Sequence, residues 1–177
     1  MKAHLKNIIG AGLLAGALAT TLSAQAADLE AKATEAIQNF KRADSGLTKL
    51  FESAAGYVVL PGVGEGGFII GGEHGDGLVY EDKKVAGKVS MTEVSVGAQA
   101  GGASFAEVIF FESKDDLKKF KETKCELSAG VKASIAASGA AESAKYQQGV
   151  SVFTLPKGGA MVAAKVGGQK FKFENLK

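Results

Sequence analysis

From Tyr57 onward the chain alternates with period two and is dense in glycine, and that combination leaves few folds open. Val89, Met91, Glu93 and Ser95 alternate with Ser90, Thr92, Val94, Val96 and Ala98. The pattern returns at Val131, Ala133, Ile135 and Ala137, at Val150, Val152 and Thr154, from Ala160 to Val166, and at Phe171 and Phe173. Successive side chains of a strand point to opposite faces, so this alternation predicts strands. Val108-Ile109-Phe110-Phe111 is an unbroken apolar run, as in a strand covered on both faces. Tyr57-Val58-Val59-Leu60 predicts a first short strand, ended by Pro61. Small residues within strands allow close backbone approach and tight curvature. Seven or eight strands are therefore expected, in an antiparallel sheet that curls or closes like a barrel, with helices packed on it.

The helices precede and interrupt the strands, which makes the expected class α+β. Leu29, Ala33, Ala36, Ile37, Phe40, Leu47, Leu50, Phe51 and Ala54 form one stripe at helical spacing, so residues 27–55 predict an N-terminal helical segment. Asp44-Ser45-Gly46 interrupts the stripe and is placed to cap a second helix, while one continuous helix would keep the stripe in phase as well. A short surface helix is expected over residues 113–121. Ser113 is its N-cap, Asp115 and Asp116 lie in the positive first turn, lysines follow, and Leu117 and Phe120 alone dock it.

Residues 1–26 predict a cleavable export signal. Lys2 and Lys6 form a basic start, an apolar stretch runs from Ile8 to Leu22, and Ala24-Gln25-Ala26 is a small-residue cleavage site, placing the cut between Ala26 and Ala27. The apolar stretch is shorter than the ~20 residues a spanning helix needs. The expected product is periplasmic or secreted, free of its leader, with residues 27–55 and 56–177 forming one domain. Cleavage also changes the charge: losing Lys2 and Lys6 takes the 21 Lys and Arg to 19, level with the 19 Asp and Glu. A neutral domain offers no whole-molecule attraction to nucleic acid.

Catalytic constellations are hard to assemble. The run from Gly62 to Gly77 lacks the Gly-Lys-Ser/Thr of a phosphate loop and leads into more strand, so its glycines predict bends in a strand pair. His74 is the one histidine outside the leader, too few for the usual three-ligand catalytic zinc site, and no nucleophile elbow is present. Glu73 and His74 are adjacent on a strand and face opposite ways. Neither an enzyme, a metal site nor a cofactor is expected. Cys125 is the sole cysteine and predicts a packed thiol, with no intramolecular disulfide possible. What remains is local basic charge. Lys114, Lys118, Lys119, Lys121 and Lys124 form the densest cluster, and at about 1 kcal/mol each they would contribute about 5 kcal/mol to an anionic surface before Asp115, Asp116 and Glu122 subtract.

The phrase Gly67-Phe68-Ile69-Ile70-Gly71-Gly72-Glu73-His74-Gly75-Asp76-Gly77, followed by Val96-Gly97-Ala98-Gln99-Ala100-Gly101, resembles the SYLF domain family. The resemblance continues through Val108-Ile109-Phe110-Phe111, Leu117, Phe120 and Ala129-Gly130-Val131, covering about residues 54–177. It implies a binding module. Eukaryotic members bind phosphoinositide membranes, fungal ones bind actin, and bacterial ones are exported envelope proteins. Membrane contact in the family is attributed to an amphipathic N-terminal helix and basic residues. Carried onto this chain, those are Phe40, Lys41, Arg42, Leu47, Lys49, Leu50 and Phe51, to which the residues themselves add Lys118, Lys119 and Lys121. The expected function is contact with anionic phospholipid or another amphiphile at the envelope membrane. Two other functions fit the same residues: a structural or protein-interaction module of the envelope with a protein partner and no lipid, and a carrier enclosing an apolar ligand.

Overall fold

The computed structural model describes residues 10–66, 70–96, 104–122, 125–127, 133–157 and 168–176. Helix α1 (Gly10–Ala43) leads directly into α2 (Gly46–Ser53). The expected break falls at Asp44-Ser45-Gly46, where the Asp44 carboxylate accepts from the Gly46 N–H at 2.9 Å and from the distant Ala141 N–H at 2.7 Å. The strands β1 (Gly56–Gly66), β2 (Ile70–Glu81), β3 (Lys84–Val96) and β4 (Ser104–Phe111) follow. After them come α3 (Lys114–Phe120), β5 (Cys125–Leu127), β6 (Ala133–Ile135), the one-turn α4 (Ala140–Ser143), β7 (Val150–Pro156) and β8 (Gln169–Asn175). The alternation over 160–166 lies outside the described residues.

The eight strands form one sheet in the order β5-β8-β3-β2-β1-β4-β7-β6. Its first seven strands are antiparallel, and β6 adds to the edge parallel to β7. The sheet curls strongly. Strands β8 and β4 are four positions apart in that order, so a flat sheet would separate them by roughly 19 Å. Instead Gln169 Nε2 on β8 donates to Glu107 Oε2 on β4 at 3.2 Å. On the same concave side Phe120 of α3 bridges the gap, its ring 5.0 Å from Phe111 of β4 and 5.0 Å from Phe171 of β8. The result is a half-barrel with α3 laid across its opening.

Strand β1 corrects one expectation. It does not end at Pro61 but continues to Gly66. The register slips between Val59 and Gly62 against β2, and between Leu60 and Val63 against β4. Proline has no N–H for a ladder, so a central strand retains one only at a bulge.

Both faces of the curl are covered, and this is why the strands alternate between two apolar sets. Val58, Leu60, Val63, Val79, Met91, Ile109, Phe111 and Val152 face inward with Leu117 and Phe120 of α3. Tyr57, Val59, Leu78, Tyr80, Val108, Phe110 and Phe153 face outward beneath Ala33, Ala36 and Phe40 of α1 and Leu47 and Phe51 of α2. Val108 to Phe111 is buried throughout, as a strand with two covered faces must be. The outer set is partly aromatic: Tyr57 and Tyr80 stack at 4.8 Å, and burial, then the neighbouring Tyr57 and Glu30, push the Tyr80 phenol up to about 12. Helix α3 starts as expected, with Ser113 Oγ accepting from the Asp116 N–H at 3.2 Å. Two glycines meet steric demands. A Cβ at Gly77 would sit 2.4 Å from the Val59 carbonyl oxygen. Gly149, at φ 80°, closes the turn before β7 and leaves no room for a Cβ beside the Asp116 carboxylate.

Candidate functional site

The residues expected to touch lipid divide sharply. Phe40 and Leu47 are fully buried and Phe51 nearly so, all in the outer-face core, with Leu50 packed at its margin. They do not form an exposed apolar face, which corrects the expectation that this stripe inserts into a membrane. The physical reason is competition. Each large apolar side chain contributes roughly 1.5–3 kcal/mol to folding when buried, so exposing three would cost about as much as, or more than, five lysines can return from an anionic surface.

The cations are distributed differently. Lys41 is half-buried, its Nζ 5.4 Å from the centre of the Phe51 ring. Arg42 and Lys49 are exposed, and Arg42 hydrogen-bonds Asn39 within α1. Lys118 and Lys119 are exposed on α3, with Lys119 3.7 Å from Asp116. Lys121 is engaged: its Nζ lies 2.6 Å from Glu81 Oε2, which ties the end of α3 to β2. Helices α1 and α2 cover the outer face while α3 packs on the inner one, so the two groups lie on opposite sides of the sheet. Ala26 and Ala27, the expected cleavage site, lie within the continuous helix α1.

A groove that the motifs did not point to opens on the outer face between α1 and strands β2, β3 and β8. Its volume is about 750 Å³. Lys32, Lys88, Lys157, Lys172 and His74 line it together with Asp28, Asp76 and Glu174. Alternation builds its floor: His74 and Asp76 on β2, Lys88 and Ser90 on β3 and Lys172 and Glu174 on β8 all point outward, opposite to Val89 and Phe171. Each acid stands beside a base. Asp28 is 2.6 Å from Lys32, Glu174 is 2.7 Å from Lys172, and Asp76 is 3.9 Å from His74. The Lys172 hydrogen bond and charge, with Lys88 behind them, hold the Glu174 carboxyl below its ordinary range. With four lysines against three carboxylates, the lining carries a net positive charge.

Over its apolar length the half-barrel interior presents Met91, Ile109, Phe111, Leu117 and Phe120, all buried. Its lining changes character toward Glu93, Glu107, Thr154 and Gln169, four buried polar side chains on the concave face. Among the described residues no group of three or more His, Cys, Asp or Glu side chains is assembled. The Glu73 side chain lies outside the described residues. Cys125 is half-buried, and burial, with Glu122 adding to it, raises its thiol pKa. Among the described residues no helix is long and apolar enough to cross a membrane.

The chain matches no protein-family model, and no curated protein matches it.

Proposed function

We propose that this chain is a non-enzymatic binding module for an anionic amphiphile, which it captures by the headgroup in the lysine-lined outer groove, at the envelope membrane once the leader is removed. The observation that carries this reading is the groove's charge pattern. Its four lysines outnumber its three carboxylates by one, and Lys88 and Lys157 stand outside the three close acid–base contacts. The SYLF-like phrases point the same way, toward a lipid-facing domain. Because Phe40, Leu47 and Phe51 are committed to the core, contact is electrostatic and shallow, and salt-sensitive for that reason.

Vesicle co-sedimentation tests this. The protein should pellet with phosphatidylglycerol-containing vesicles at low salt, be released at high salt, and ignore pure phosphatidylcholine. The double substitution Lys88→Glu with Lys157→Glu should weaken binding by more than about tenfold, since each lysine near an anionic surface is worth about 1 kcal/mol. Lys118→Glu with Lys119→Glu should leave it nearly unchanged. Absence of binding at low salt would refute the proposal. In that event a protein recovered by crosslinking would favour the envelope interaction module.

A further inference from the structure

The polar end of the concave face assembles four oxygen-bearing side chains from four strands. Glu107 on β4 and Thr154 on β7 are cross-strand partners. The register that pairs Thr92 with Lys170, carried one residue on, sets Glu93 of β3 beside Gln169 of β8. The hydrogen bond from Gln169 Nε2 to Glu107 Oε2 at 3.2 Å joins the two pairs across the curl. Thr154 is 0% and Gln169 1% exposed, yet among the described residues Thr154 Oγ1 and Gln169 Oε1 have no hydrogen-bond partner. Buried polar atoms are rarely left so, because each forfeits its water without replacement. The Gln169 amide is oriented by its nitrogen, so its oxygen can only accept. A cation would satisfy this carbonyl and the hydroxyl oxygen together, and carboxylates stand on the same face.

We infer that this cluster binds a hard divalent cation, calcium foremost. The donors are carboxylate, amide carbonyl and hydroxyl, with no nitrogen or sulfur, a set that suits calcium or magnesium and not zinc or copper. Calcium accepts six to eight oxygens and tolerates irregular geometry, so water completes the shell around these side chains. Because the donors come from β3 and β8 on one side and β4 and β7 on the other, the ion clamps the curl shut. The inference is independent of the outer groove and of any lipid.

The test uses the whole chain, stripped with EDTA and titrated with calcium chloride or magnesium chloride. Affinity should fall in the range of extracellular calcium modules, about 10⁻⁴–10⁻³ M. Calcium at about ten times the dissociation constant should raise Tm by roughly 3–5 °C. Native mass spectrometry should show one calcium per chain. Thr154→Val and Gln169→Leu, which keep the volume and remove one donor oxygen each, should weaken affinity on the order of tenfold, and Glu107→Gln should abolish binding. If Glu107→Gln does not fold, the Thr154→Val result decides. The inference fails if no ion is bound and Tm does not move, if potassium chloride at equal ionic strength gives the same rise, or if Thr154→Val and Gln169→Leu bind calcium unchanged.

Discussion

Asp44 is 3% exposed and carries charge where the chain turns from α1 into α2. Burial alone would raise its pKa. Hydrogen bonds from the backbone N–H groups of Ala141, Gly46, Gly139 and Ala140 outweigh that and hold it below its ordinary value. A carboxyl whose pKa is lowered by folding stabilises the fold fully above its unfolded value of about 3.9, and that contribution is lost as pH falls through the folded value. Asp44→Ala should therefore cost about 2 kcal/mol at neutral pH, by stranding two part-buried N–H donors, and lower Tm by roughly 4–8 °C. Its deficit relative to the parent should shrink when thermal melts are repeated below about pH 3.5. Asp44→Asn, which keeps an acceptor, should lose less. The Asp44-Ser45-Gly46 break was readable from composition. The bond to Ala141, 97 positions away, was not, because nothing local to either residue records it. Glu107 is a similar case. It falls in phase with Phe105, Ile109 and Phe111, but the unbroken apolar run from Val108 to Phe111 does not tell which face is inward, so its burial shows only in the fold.

Among the elements, α3 has an influence beyond its seven residues. Phe120 lies against both Phe111 and Phe171, so it helps tie strands that share no ladder. Phe120→Ala should cost about 3–5 kcal/mol, as for other buried phenylalanines. Hydrogen exchange should then show β8 losing protection before β1 and β2. If the loss is uniform across the sheet, α3 is not the tie described. This helix was legible because Ser113, the acid pair and the lysines each occupy the position that capping and the helix dipole favour. Strand β5 and helix α4 were not, since three or four residues carry too little periodicity to stand out. The N-terminal stripe shows a further limit of pattern. Helical spacing identifies an apolar face but not what covers it, and Phe40, Leu47 and Phe51 read alike whether a sheet or a bilayer lies against them. The outer groove was hidden for a related reason: Lys32, Lys88, Lys157 and Lys172 are dispersed in the chain and meet only after the sheet forms.

At the scale of the molecule, strand order departs from chain order in one consequential place. The last described strand, β8, is not at the rim; it lies between β3 and β5. Met91 pairs with Phe171, 80 positions later. Removing residues 169–177 should therefore abolish cooperative folding rather than trim an edge, leaving β3 with an unpaired side and the concave core without Phe171. Loss of a sigmoidal urea transition by circular dichroism would show this, and a truncated chain that still unfolds in one sharp step would contradict it. The position of β8 also acts as a timer. During synthesis β1 to β4 emerge with nothing to close the curl, and distant pairings are slow to form in any case. The curl therefore cannot close through β8 until residues 169–175 have been made.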